Sequence, residues 1–251
     1  MEYVEVLRTR RVLFWFAMTL LATLVLNLLS FGHVHRSADM PHDIAGKIPL
    51  SGFIIGSIFI TYIIVAFVAQ NLSNEGNTLA ITWTRPMTRY AIAWRFVAVD
   101  FATIAVCFCV TLAAGLLAIW AYGFGAAIKL DSAASYELLL GVGTVVLWYG
   151  IIVAASARFP GRGGMIAGLS WGAFFVLASL WALPLPWLIH DLVTVLNYLS
   201  PLAYISAAAG SATNGGHHAI TLSDPWLAIV PWCIGIVMLV GGVRLWATRE
   251  A

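Results

Sequence analysis

Residues 91–122 read AIAWRFVAVDFATIAVCFCVTLAAGLLAIWAY, and Arg95 and Asp100 are their only charged side chains. As an α-helix this stretch would extend about 48 Å, more than the ~30 Å hydrocarbon core of a bilayer. In lipid the backbone must satisfy its own polar groups, and within one continuous segment only a helix does so. The stretch therefore reads as a transmembrane helix that tilts or protrudes.

Further apolar runs of spanning length lie on either side of it, at roughly 12–31, 50–70, 136–157, 163–183 and 226–247. Composition points the same way: 61% of the 251 residues are hydrophobic and 10% charged, against about 25% charged in a soluble domain. Six spans and their loops leave no room for a separate soluble domain. The expected fold is all-α, a single polytopic membrane domain over 1–251. Arg8, Arg10 and Arg11 before the first run resemble a signal peptide. That run continues to about Phe31 with no small-x-small cleavage site, so it reads as a retained span. Residues 2–11 (EYVEVLRTRR) suit an amphipathic surface helix. The fifth run stops at Pro184 and Pro186. Beyond them the apolar stretch from Trp187 to Ala209 is broken by His190, Asp191, Asn197 and Pro201. It reads as a short interfacial or re-entrant helical pair.

Lys and Arg set the orientation. With the N-terminus inside, the inner segments hold Arg8, Arg10, Arg11, Arg85, Arg89, Arg95, Arg158, Arg162, Arg244 and Arg249. The outer segments hold only Arg36, Lys47 and Lys129, a ratio of ten to three. Both termini are then cytoplasmic. All six histidines and most carboxylates, Glu137 and Asp191 among them, fall on the outer side.

Several function classes lose support here. A net charge of +2 is too small to imply nucleic-acid binding. Cys107, Cys109 and Cys233 sit in apolar runs and suit packing better than a disulfide or thiolate site. His33, His35, His42 and Asp43 match no closed metal site, so no metal is expected. There is no G-x-x-x-x-G-K-[ST] motif, and Gly161-Arg162-Gly163-Gly164 reads as a tight turn. An intramembrane protease would need H-E-x-x-H or an equivalent constellation, which is absent. Asp100, inside a span, is a functional candidate, with Arg95 as a possible gating partner. Gly164, Gly168 and Gly172 form a stripe at four-residue spacing, as do Gly52 and Gly56. Such stripes allow close helix approach, and packing within the chain and a dimer or pathway role are both compatible with them. Seven of the eleven tryptophans, including Trp148, lie near span ends as in an interfacial belt.

The polar segment between the second and third runs carries Glu75-Gly76-Asn77-Thr78-Leu79 and then Thr84-Arg85-Pro86-Met87-Thr88-Arg89. This resembles the membrane subunit of ABC-2 type ABC transporters, which place an acidic-Gly-x-Thr-Leu segment and a Thr-Arg-Pro-x-(Ser/Thr)-Arg segment between helices 2 and 3. Asn197-Tyr198-Leu199-Ser200-Pro201-Leu202 is similar to the family's region of short external helices. The resemblance covers the whole chain in layout and about a dozen positions in residues.

The resemblance implies a permease whose helix 2–3 loop is a cytoplasmic coupling helix docked on a separate ATP-binding subunit. Two such subunits would hold ATP and Mg, with no cofactor in this chain and a second permease copy completing the pathway. Glu75, Gly76, Asn77, Thr78, Leu79, Trp83, Arg85, Pro86 and Arg89 would form the coupling region. Leu79 and Trp83 suit apolar anchoring, and Glu75 and Arg85 suit charge pairing with the partner. The implied activity is export of a hydrophobic or amphipathic substrate across the cell membrane. An ion- or proton-coupled carrier and a non-transporting membrane anchor are the alternatives.

Overall fold

The computed structural model describes residues 14, 16–18, 21, 48–69, 88–121, 128–129, 133–159, 161–181, 183–184, 186–205 and 228–248. They are almost entirely helical. The helices are α1 (Leu50–Val68), α2 (Arg89–Ala121), α3 (Ala133–Arg158), α4 (Gly163–Trp181), α5 (Trp187–Asn197) and α6 (Val230–Ala247). Four of them, α2, α3, α4 and α6, are long and apolar enough to cross a membrane. The 19 residues of α1 include no charged one. Of the expected first span, Phe14, Phe16, Ala17, Met18 and Leu21 are described, all helical. The rest of it and the N-terminal surface helix lie outside the described residues.

Local chemistry explains several boundaries. Thr88 precedes α2 and its hydroxyl accepts from Ala91 N–H at 3.3 Å, an N-cap that begins the helix at Arg89. Pro231 stands at the start of α6, where a missing N–H costs little. The α3–α4 link turns at Gly161, whose φ of 70° favours glycine. One short feature departs from helix: β1 (Ile48–Pro49) and β2 (Ile128–Lys129) pair in parallel, Ile48 with Ile128 and Pro49 with Lys129. It ties the start of α1 to the segment leading into α3.

Contacts fix the relative directions. Trp148 on α3 donates to the Tyr62 carbonyl of α1 at 3.3 Å, and Gly141 lies against Ile58. Along α6, Trp232, Gly235 and Gly242 meet Gly143, Leu147 and Ala154 of α3 in the same order. Thus α1, α3 and α6 run parallel. Phe53 near the start of α1 lies by Gly115 near the far end of α2, so α2 runs the other way. α4 also runs opposite to α3, since Trp171 and Phe174 meet Trp148. This alternation gathers Arg89, Arg158, Arg162 and Arg244 at one end of the bundle.

The core is centred on α3, whose Leu147, Trp148, Tyr149, Ile152 and Val153 are buried. Trp148 is only 1% exposed, so the belt expected of it is corrected: its ring fills the core among Trp171 and Phe174. α3 and α6 approach backbone to backbone. A Cβ added at Gly150 would sit 2.5 Å from the Gly235 carbonyl oxygen, and one at Gly235 2.6 Å from Leu147 N. Small-residue contact is how helices gain close packing where lipid offers no hydrophobic drive. Much of the outward surface is apolar, with Leu117, Trp120 and Val237 at 63%, 72% and 70% exposure. Cys107 is buried, whereas Cys109 and Cys233 are exposed on that surface rather than packed inside.

Candidate functional site

The interior carries polar groups at three levels of the bundle. Nearer the basic end is Asp100 of α2, 1% exposed, which accepts a 2.7 Å hydrogen bond from Tyr149 Oη of α3. The Phe101 ring lies 4.9 Å from that of Tyr149 and screens the pair. A carboxylate taken out of water needs such a donor, because an uncompensated buried charge is costly. The gating pair expected between Arg95 and Asp100 is not formed. Five residues along a helix turn the two side chains to different faces, and Arg95 is exposed while Asp100 points inward.

Nearer the opposite end, Glu137 of α3 is 5% exposed. Sequence position puts it on the outer side, and it stands in the first turns of α3 at the end away from the arginines, buried there beside Tyr204 and Ile205. It lines a cavity of about 10 Å³ with Ile55, Ile58, Thr144, Tyr204 and Ile205, roughly the room one water needs. Thr144 Oγ1 donates to the Gly141 carbonyl at 2.7 Å, and Thr61 Oγ1 to that of Ser57 at 2.7 Å. Between these levels Tyr62, Trp148, Trp171 and Phe174 form an aromatic joint of α1, α3 and α4, with ring centroids 5.3–6.2 Å apart. Trp171 is therefore a packing residue of this joint, and Trp181 lies 6.1 Å from the His190 ring.

The glycines divide into two groups. Gly164, Gly168 and Gly172 are exposed along α4, and a Cβ on Gly168 or Gly172 would meet nothing within 4 Å. Gly56 is likewise open, and the surroundings of Gly52 lie outside the described residues. The α4 stripe is thus not used for packing among the described residues. The tight contacts come from Gly143 and Gly150 on α3 and from Gly235 and Gly242 on α6. Their seven-residue spacing, continued by Ala157 and Ala228, is the signal that a search for four-residue stripes passes over.

Of the expected coupling residues, Glu75, Gly76, Asn77, Thr78, Leu79, Trp83, Arg85 and Pro86 lie outside the described residues. Arg89 is half-buried at the start of α2, at the same end as Arg158, Arg162 and Arg244. The residues that bound the segment, Ala69 after α1 and Thr88 before α2, both stand at that basic end. Among the described residues no three His, Cys, Asp or Glu side chains come together as metal ligands. No family model, curated protein or solved structure matches this chain. Four helices of spanning length, alternating in direction and apolar on their outward faces, fit a multi-pass membrane protein.

Proposed function

We propose that this chain is the membrane-spanning permease subunit of an ATP-driven ABC transporter of the ABC-2 type. In this reading six helices cross the cell membrane and both termini are cytoplasmic. The segment 71–90, with Glu75 to Arg89, is the coupling segment that docks on a separate ATP-binding subunit. Two such subunits, carrying ATP and Mg, act on two copies of this chain and export a hydrophobic or amphipathic substrate.

The observation that carries the proposal is the pair of motifs Glu75-Gly76-Asn77-Thr78-Leu79 and Thr84-Arg85-Pro86-Met87-Thr88-Arg89 in one polar segment. The arginine-rich end of the bundle supports it, because a segment joining α1 to α2 must return at that end. Cytoplasmic loops carry the excess of Lys and Arg. A helix rooted at a Thr88 cap can then pass a push on the segment into the bundle as a rigid unit. Trp83 and Leu79 provide the apolar anchors for such a dock.

The test is copurification of the tagged chain from its native membrane, with a Walker-motif ATPase expected at equal stoichiometry to the permease. Purification without any ATPase, or a reporter at Asn77 found on the external side, overturns the reading. The buried carboxylates Asp100 and Glu137 favour a second reading, a proton-coupled carrier. Vesicle uptake driven by a proton gradient without ATP would decide for it.

A further inference from the structure

The arginines of the basic end stand in two tiers. The bond from Tyr149 to Asp100 sets α3 and α2 in register. On the other side of α3, a Cβ on Gly150 would meet Leu239 N and Met238 Cβ of α6 at 3.2 and 3.3 Å. Toward the basic end, Arg95 is five residues from Asp100 and Arg244 six from Met238, or roughly 8 and 9 Å along the two axes. Arg158 is nine residues from Tyr149 and Arg89 eleven from Asp100, or roughly 14 and 16 Å. Arg162 follows Arg158 across the turn. Arg95 and Arg244 therefore share the inner tier, on two helices that pack against each other.

Each of the two begins an outward apolar stripe. On α2, Arg95, Val99 and Val106 are exposed on one face, while Val97 and Asp100 are buried on the other. On α6, Val237, Val240 and Arg244 are exposed, while Leu239 and Val243 are buried. Both helices have the length and apolar composition to cross a membrane. Beyond Arg95 the outward face of α2 carries no further charge, and Arg244 is the only charged residue of α6. A guanidinium is costly in hydrocarbon, so it settles where the apolar stripe ends, at the headgroups. Trp94 and Trp246 lie near these arginines in the chain and are half-buried against the core, the aromatic type found at that level.

The described part of the protein offers this tier no counter-charge on its surface. Among the described residues the carboxylates are those of Asp100, Glu137 and Asp191. Asp100 points inward and is held by Tyr149. Glu137 stands at the opposite end of the bundle, as does Asp191, next to His190 at the Trp181 end of α4. Helices in contact lie about 8–10 Å apart axis to axis, a gap that two arginine side chains can close onto one anion. A phosphate matches the guanidinium in charge and in its forked hydrogen bonds.

We infer that Arg95 and Arg244 together bind the headgroup phosphate of an anionic phospholipid, in the leaflet at the basic end, with its acyl chains along Val99 and Val106 of α2 and Val237 and Val240 of α6. The occupant is a lipid rather than a soluble anion because the two arginines open directly onto those apolar stripes. A headgroup of net negative charge is favoured over phosphatidylcholine, whose own ammonium offsets its phosphate. The inference goes beyond the transport reading and holds whatever drives transport.

The test titrates the purified full chain in neutral detergent with phosphatidylglycerol or phosphatidylcholine and reads bound lipid in native mass spectra. Phosphatidylglycerol should bind the tighter. A cationic residue at a lipid surface contributes about fivefold in affinity, so Arg95→Gln and Arg244→Gln should each weaken phosphatidylglycerol binding about fivefold and the double variant about 25-fold. Phosphatidylcholine binding should not change. Arg162→Gln, in the outer tier, should leave the preference intact. Equal affinity for the two lipids, a double variant that keeps the preference, or an equal loss for Arg162→Gln would overturn the inference. Displacement of the lipid by excess inorganic phosphate would make this a site for free anions and overturn it as well. Should the variants misfold, a photoactivatable phosphatidylglycerol on the unaltered chain should label the peptides around Arg95 and Arg244 more heavily than the phosphatidylcholine analogue does. Equal labelling would count against the site. In native membranes a benzophenone side chain at Val240 should crosslink to lipid; a protein adduct there would mean a partner subunit in place of the lipid and refute the assignment.

Discussion

The Tyr149 hydroxyl holds the Asp100 carboxylate at 2.7 Å, a bond between α3 and α2 with both residues at most 1% exposed. The two helices make few close contacts, and this bond ties them together. It lies about three helical turns from the basic end.

Tyr149→Phe should destabilise the protein by about 1–3 kcal/mol, the cost of removing the donor to a buried acceptor. Asp100→Asn should cost less, because the amide oxygen still accepts from Tyr149. Arg95→Gln should change stability by no more than about 0.5 kcal/mol, as an exposed substitution. Thermal unfolding in detergent, with the double variant completing the cycle, checks all three. A loss for Arg95→Gln equal to that for Tyr149→Phe would contradict the pairing seen here.

Gly150→Ala and Gly235→Ala should each lower stability by about 1–3 kcal/mol or more, because the added methyl meets backbone rather than a movable side chain. Gly168→Ala and Gly172→Ala should leave the folded chain as stable as before, since their added methyls meet nothing within 4 Å. If α4 serves as a dimer or pathway surface, these two variants should instead reduce assembly or transport. Heating curves together with the mass of the complex separate the effects.

Gly161→Ala should cost about 1–2 kcal/mol through left-handed backbone strain at φ 70°. Space is not the cause, as the added methyl is free of contacts. Gly161→Asn should recover part of the loss, because asparagine tolerates that conformation better. Equal losses for the two variants in the same unfolding assay would point to some other origin.

Glu75→Ala and Trp83→Ala should leave the chain inserted but uncouple ATP hydrolysis on the partner from transport in vesicles. Hydrolysis should persist while substrate movement falls at least tenfold, a coupling loss of about 1.4 kcal/mol or more. Unchanged transport in both variants would remove the coupling role from the segment 71–90.

Much of the architecture is legible in the sequence. Run length and hydropathy located five of the helices to within a few residues, because lipid leaves an apolar segment no other way to satisfy its backbone. Pro184 and Pro186 marked the end of α4, and the broken run after them was readable as a helix too short to cross. The Arg-rich side was legible too, and helix alternation brings Arg89, Arg158, Arg162 and Arg244 to one end.

Pairing was not legible. A single sequence has no means of saying that Asp100 meets Tyr149 rather than Arg95, or that Glu137 is covered by Tyr204. Nor does it reveal that α3 and α6 touch through Gly150 and Gly235 while Gly168 faces outward. Those outcomes depend on which helix faces which and at what rotation. Helices in lipid choose their neighbours by the fit of small surfaces and a few hydrogen bonds. The sequence by itself determined that this chain is a set of membrane-length helices with one basic end, since that follows from each segment's own solvation. Only the tertiary structure decided which polar groups are buried together, because that depends on contacts between segments far apart in the chain.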